Sequence, residues 1–179
     1  MQTKKFNEVN FIMPFEIKEI CNQEIKSAIC NDILRSLPNW FAIESSITEY
    51  TNDVKDMPFY VAFIKEDSIK KNFIKEKPIG FAAIKNHNLY TAEVYVMGVL
   101  EDYHRQGIGK ALIYACEKYC ITNKKEFLSV KTLDESHNDK NYAKTRRFYL
   151  EMGFKPLEVF PLLWGEDNPC LFLAKSIIL

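Results

Sequence analysis

The chain has 179 residues, of which 47% are hydrophobic and 27% charged. This length suits one domain over residues 1–179 with a sizeable core. The 24 basic and 24 acidic side chains cancel, so no global field draws in nucleic acid or an anionic membrane, and neither is expected as a partner.

The segment Met1–Phe15 lacks the apolar core and cleavage site of a signal peptide, and no apolar run approaches the roughly 18 residues of a membrane span, so a cytoplasmic location is expected. Asn7–Phe15 reads as a first strand. Asn22–Leu37 carries Ile25, Ile29, Ile33 and Leu37 at helical spacing, and Pro38 stops that helix. Ala42–Asp56 reads as a second, shorter helix. The period then changes. Phe59–Asp67 and Lys77–Asn86 are strands around a lysine-rich turn, and the lysines of Lys65–Pro78 read as a solvated hairpin tip rather than a phosphate site. Tyr90–Leu100 is a further strand, rich in β-branched and aromatic residues. From Gly107 to about Thr122 the period is helical again, with Ile108, Ala111, Leu112, Ala115 and Tyr119 on one face. Phe127–Leu133 is a strand, and Asp139–Gly153 is a helix with Gly153 as its natural stop. Two strands, within Phe154–Trp164 and Cys170–Ile178, close the chain. The order is strand, two helices, three strands, helix, strand, helix, two strands, which gives an α/β sheet with helices on both faces.

The five cysteines are an odd number without C-x-x-C spacing, which points to free thiols in a reducing compartment. Cys116 and Cys120 fit a packed helical face better than a metal pair. His87, His104 and His137 make no ligand spacing, so no metal is expected.

The stretch YHRQGIGKAL (Tyr103–Leu112) follows an apolar strand and opens a helix. A helix N-terminus offers unpaired backbone N–H groups and a partial positive charge, and glycine lets an anion come close to them. Arg105–Lys110 is therefore a candidate pyrophosphate cradle, the alternative being a strand-to-helix turn that binds nothing. Aligned on Gly109-Lys110, the ATP/GTP P-loop would need its first glycine at His104 and its Ser/Thr at Ala111, and it fails at both. The dinucleotide fingerprint begins with Gly107 and Gly109, but its third glycine falls on Leu112.

Two motifs together resemble those of the Gcn5-related N-acetyltransferase (GNAT) family. The first is His104-Arg105-Gln106-Gly107-Ile108-Gly109, similar to the family's [QR]-x-x-G-x-[GA], with His104 in place of the leading Gln/Arg. The second is Phe148-Tyr149-Leu150-Glu151-Met152-Gly153-Phe154, similar to its aromatic-tyrosine pair followed by Gly-Phe. A family asparagine often found seven residues before that tyrosine is Tyr142 here, with Asn141 beside it. The resemblance covers about Phe59–Phe154. It implies a mixed, largely antiparallel central sheet flanked by helices on both faces, the acyl-CoA N-acyltransferase fold. It also implies acetyl-CoA as the acetyl donor. The pyrophosphate would be held by Arg105, Gln106, Gly107, Ile108, Gly109 and Lys110, and the pantetheine arm would run beside Met97, Gly98 and Val99.

The same resemblance implies roles in catalysis. Tyr149 would protonate the departing thiolate, its ordinary pKa of about 10 being close to that of a thiol; the alternative is a core aromatic. Glu93 would remove the amine proton, the alternatives being a half-exposed strand glutamate and a water chain. Strand alternation places Glu93, Tyr95, Met97 and Val99 on one face. A backbone N–H near Met97–Val99 would polarise the thioester carbonyl, where two strands part. The segments Leu37–Phe41 and Phe160–Pro169 would wall the acceptor site, and Trp40, Trp164, Glu166 and Asp167 suit a cationic amine. The acceptor is thus a small-molecule amine or a lysine or N-terminal amine, and dimers through the late strands fit the resemblance. The competing readings are a catalytically silent coenzyme A-binding sensor or partner module and a nucleotide-binding enzyme.

Overall fold

The computed structural model describes residues 15–68 and 73–177. Its first strand, β1 (Phe15–Glu19), starts at the last residue of the expected Asn7–Phe15 strand; the rest of that expectation lies outside the described residues. Helix α1 (Gln23–Arg35) is capped by Asn22, whose Oδ1 accepts from the Ile25 backbone N–H at 3.0 Å. Such a cap satisfies one orphan donor of the first turn. Then come α2 (Glu44–Asp53), β2 (Phe59–Ser68), β3 (Phe73–Asn86), β4 (Thr91–Val99), α3 (Ile108–Thr122), β5 (Phe127–Leu133), α4 (Lys140–Glu151), β6 (Lys155–Phe160) and β7 (Cys170–Ser176). The element order is the one expected. The β2–β3 arm is longer than expected, however. Lys65 pairs with Glu76 and Glu66 with Lys75 in the strand register, so much of the lysine-rich stretch is paired strand. The opposite charges of Lys65 and Glu76, set across from each other, favour that pairing. Residues 69–72 of the turn lie outside the described residues.

The strands form one seven-stranded sheet in the order β1-β2-β3-β4-β5-β7-β6. Every pairing is antiparallel except β4 with β5, which the α3 crossover makes parallel. Each face of the sheet has its own core. One packs α3 and Tyr149 of α4 against Ala92, Val94, Leu128 and Val130, and both Cys116 and Cys120 are wholly buried in it. The other packs Ile29, Ile33 and Leu34 of α1 and Ile47 of α2 against Phe59, Phe81 and Val96. The Phe59 and Phe81 rings stack with centroids 5.0 Å apart. The parallel pair at the middle of the sheet, with helices on both sides, is where the site forms.

Candidate active site

Strands β4 and β5 pair only from Thr91 and Phe127 as far as Val94 and Val130. Beyond that point they part, as expected near Met97–Val99, and a cavity of about 1540 Å³ opens through the split. A pocket for one drug-sized ligand is about 300–1,000 Å³, and this one is larger. Its lining includes Met97, Gly98, Val99, Arg105, Gly107, Ile108, Gly109, Lys110, Tyr149 and Glu93. Among the residues expected to act in catalysis or hold the donor, Gln106 alone does not line it. Its amide donates to the Asp102 carbonyl at 3.0 Å.

One end of the cavity is built for an anion. Helix α3 begins after Gly107, whose φ of +85° lies in the left-handed region that glycine enters without steric cost. Arg105, at φ +62°, shares that unusual region. No side chain caps the helix and no acid occupies its first turn. Its leading N–H groups therefore have no intrahelical partner and carry the positive end of the dipole. Gly109 serves packing: a Cβ there would lie 3.2 Å from the Phe148 ring of α4. Arg105, Lys110 and Lys144 add positive charge to the lining, whereas Arg147 and Lys175 are ion-paired to Glu151 and Glu117. These residues fit a pyrophosphate.

Strand β4 holds the main departure from the sequence reading. Ala83 pairs with Val96 but Ile84 pairs with Val94, so Tyr95 is an extra residue, a β-bulge. A bulge reverses the alternation beyond it. Ala92 and Val94 face the α3 core, and so do Met97 and Val99, while Tyr95 and Val96 face α1 and α2. Glu93 therefore points to the opposite face from Met97 and Val99, and the single shared face expected for them is wrong. Because the cavity passes through the split, it is lined from both faces, by Tyr149 and by Glu93.

Glu93 is only 3% exposed. Each of its carboxylate oxygens accepts from Lys131 Nζ at 2.7 Å, and Oε2 contacts His87 Nε2 at 2.5 Å. Tyr149 is 6% exposed, between Phe148 and Phe154. Burial, and secondarily the nearby Cys116, pushes its phenol well above the usual value, so it is fully protonated at neutral pH. No cysteine is found among the lining residues. Burial also raises the Cys120 and Cys170 thiols to about 11, so neither offers a thiolate nucleophile at neutral pH.

The acceptor wall differs from expectation in its charges. Trp40, Leu163 and Trp164 line the cavity, but Glu166 and Asp167 do not; the carboxylates on the α2 side are Glu49 and Glu93, beside Phe41, Tyr50 and Tyr95. The Tyr95 hydroxyl donates to Asp53 at 2.6 Å. A bracket joins the α1–α2 loop to α4: the Tyr142 hydroxyl donates to the Trp40 carbonyl at 2.7 Å, and the Trp40 indole N–H donates to Thr145 Oγ1 at 3.2 Å. The Tyr142 hydroxyl is committed to this bracket. Burial pushes its phenol up to about 12, so it remains a donor at neutral pH. Tyr142→Phe should cost about 1 kcal/mol of stability, read as a lower urea midpoint; an unchanged midpoint would show the bracket to be energetically idle.

The chain matches the family described as "Acetyltransferase (GNAT) domain" over residues 56–156. No curated protein sequence matches it. Among solved structures, it is similar to a protein from Desulfovibrio desulfuricans assigned to the GNAT family, with 16% identity, TM-score 0.72, and 92% of this chain and 99% of that one covered. It is similar to an aminoglycoside 6'-N-acetyltransferase complexed with coenzyme A, at 19% identity and TM-score 0.68, over 92% of this chain and 98% of the other. A GNAT family acetyltransferase from Elizabethkingia anophelis with acetyl-CoA bound follows at 16% identity and TM-score 0.64, over 91% and 98%. At these identities the structural likeness speaks for the fold.

Proposed function

The chain belongs to the GNAT acetyltransferase family and is an acetyl-CoA-dependent acetyltransferase, and from that premise we propose that it transfers the acetyl group directly to a primary amine of a small cationic molecule, with both substrates bound at once. The observation that carries this reading is one cavity lined from both faces of the sheet, by the uncapped α3 N-terminus and basic side chains and also by Glu49, Glu93 and aromatic side chains. The lining has no cysteine to carry an acetyl intermediate, which favours direct transfer.

In this reading Arg105, Gly107, Ile108, Gly109 and Lys110 hold the pyrophosphate of the donor substrate. Met97, Gly98 and Val99 flank its pantetheine arm on the open edge of β4. Glu93 takes the proton from the attacking amine, and Tyr149 supplies one to the departing thiolate. The apolar surroundings that keep the Tyr149 phenol protonated also raise the basicity of a thiolate formed beside it, so the proton transfer is not far out of balance. Trp40, Phe41, Tyr50 and Trp164 offer ring faces to a cation.

The test is thiol release from acetyl-CoA across polyamines, aminoglycosides, arylalkylamines and a lysine peptide, with initial rates taken against both substrates. Intersecting double-reciprocal lines and a small cationic amine as best acceptor are expected. Parallel lines would overturn direct transfer, and a preference for the peptide would overturn the small-molecule acceptor.

A further inference from the structure

We propose that His104 sets the affinity of this chain for its donor substrate: its ring holds a backbone carbonyl on β4 that the donor's pantetheine arm needs, and the arm displaces the ring on binding. This rests on the reading that the arm runs along the open edge of β4.

The register of β4 defines what that edge presents. Gly80 of β3 stands opposite Val99, and the Leu100 N–H donates to the Ile79 carbonyl at 2.9 Å. In an antiparallel ladder, a bond between these flanking residues marks Gly80 and Val99 as a pair that exchanges no hydrogen bonds with each other. The N–H and carbonyl of Val99 therefore point away from β3, toward the side where β5 would lie. Met97 stands opposite Ala82, two residues back in an unbroken register, and presents its own N–H and carbonyl in the same way. Strand β5 pairs with β4 only as far as Val94, so no strand takes these groups. An extended chain that carries amides can add to such an edge as another strand would, and the pantetheine arm carries two.

One of these groups is already engaged. His104 Nε2 lies 2.7 Å from the Val99 carbonyl oxygen. A carbonyl only accepts, so Nε2 carries the proton of this bond. The ring lines the cavity with Val99 and Trp40, and it meets the Trp40 ring edge-on with centroids 5.6 Å apart. The imidazole thus bridges the open edge and the Trp40 wall. The oxygen has a second lone pair, but the ring takes up the space beside the edge that the arm would fill.

The ring can leave without moving the chain. The turn that carries it is fixed by its backbone: the Tyr103 N–H donates to the Leu100 carbonyl at 2.9 Å, and the His104 N–H to the Glu101 carbonyl at 3.0 Å. The His104 side chain is exposed, so rotation about its own bonds frees the edge. The observed dissociation constant is then the intrinsic one divided by the fraction of molecules whose edge is open. The net worth of one hydrogen bond puts that fraction at roughly one in five.

The test uses the full chain and calorimetric titration of wild type and His104→Ala with coenzyme A and with 3'-phospho-ADP, the donor's nucleotide without the arm. His104→Ala should bind coenzyme A about fivefold more tightly, the inverse of that open fraction, and 3'-phospho-ADP as wild type does. Unchanged or weaker binding of coenzyme A overturns the proposal. Equal tightening for 3'-phospho-ADP also overturns it, since the effect would then lie in the cradle. A wild type that binds neither ligand overturns the donor site itself, a separate failure. In a second measurement, the ¹⁵N signals of the His104 ring should shift when coenzyme A is added and stay in place with 3'-phospho-ADP. The same spectrum with both ligands overturns displacement by the arm.

Discussion

Replacing Tyr149 by phenylalanine should lower kcat by about a hundredfold with the acetyl-CoA KM nearly unchanged. The substitution keeps the ring among Phe148 and Phe154, whose centroids lie 5.3 and 5.6 Å away, and removes only the hydroxyl. Packing and donor binding survive, so the loss falls on the step in which the thiolate leaves. Equal falls in kcat and kcat/KM would mark an interaction made only in the transition state. A rate within a factor of about two of wild type, far below the usual general-acid contribution, would reduce Tyr149 to a core aromatic.

Phe154→Ala should cost about 3–5 kcal/mol of stability, read as a large drop in the urea midpoint. Phe154 is fully buried in the α3-side core. Its ring meets the Tyr149 ring edge-on, and its N–H donates to the Tyr149 carbonyl at 3.1 Å. The Gly-Phe ending of the second motif thus fastens the end of α4 to the core and orients Tyr149. Phe154→Leu, which fills most of the same volume, should recover most of the stability. A loss below about 1 kcal/mol for Phe154→Ala would mean the site collapses around the missing ring.

Local features were legible in the sequence because they rest on local physics. Hydrophobic period, and Gly107 and Gly153 as turn residues, all act within a few positions. The cap that starts α4 is just as local, with Asp139 Oδ1 accepting from Asn141 and Tyr142 N–H at 2.8 Å each. The strand-to-helix turn at Gly107 was legible for the same reason, being one helix end with its own glycines.

The face of Glu93 was not legible. Irregular backbone was expected at Gly98, but the bulge sits at Tyr95, an aromatic residue that advertises nothing of the kind. Its cause is long-range: the hydroxyl bond to Asp53 and the ring contact with Tyr50, both on α2, hold Tyr95 toward that helix. The Trp40–Tyr142 bracket joins residues 102 positions apart, and no local pattern encodes it. The acceptor wall was misjudged in the same way, since Glu49 reaches the cavity by helix packing whereas Glu166 and Asp167 remain exposed. One signal was available for the charged cluster. Glu93 and Lys131 each interrupt an apolar strand, and two opposite charges in adjacent central strands need each other once buried.

The most direct test of the whole account is thermal unfolding with coenzyme A, acetyl-CoA, ATP and NAD in parallel. Both coenzyme A forms, at 100 times their dissociation constants, should stabilise the folded chain by about 2.7 kcal/mol, and ATP and NAD should not. No shift with either coenzyme A form at saturation, or a shift with ATP alone, would contradict the assignment of the α3 N-terminus as the donor's pyrophosphate site.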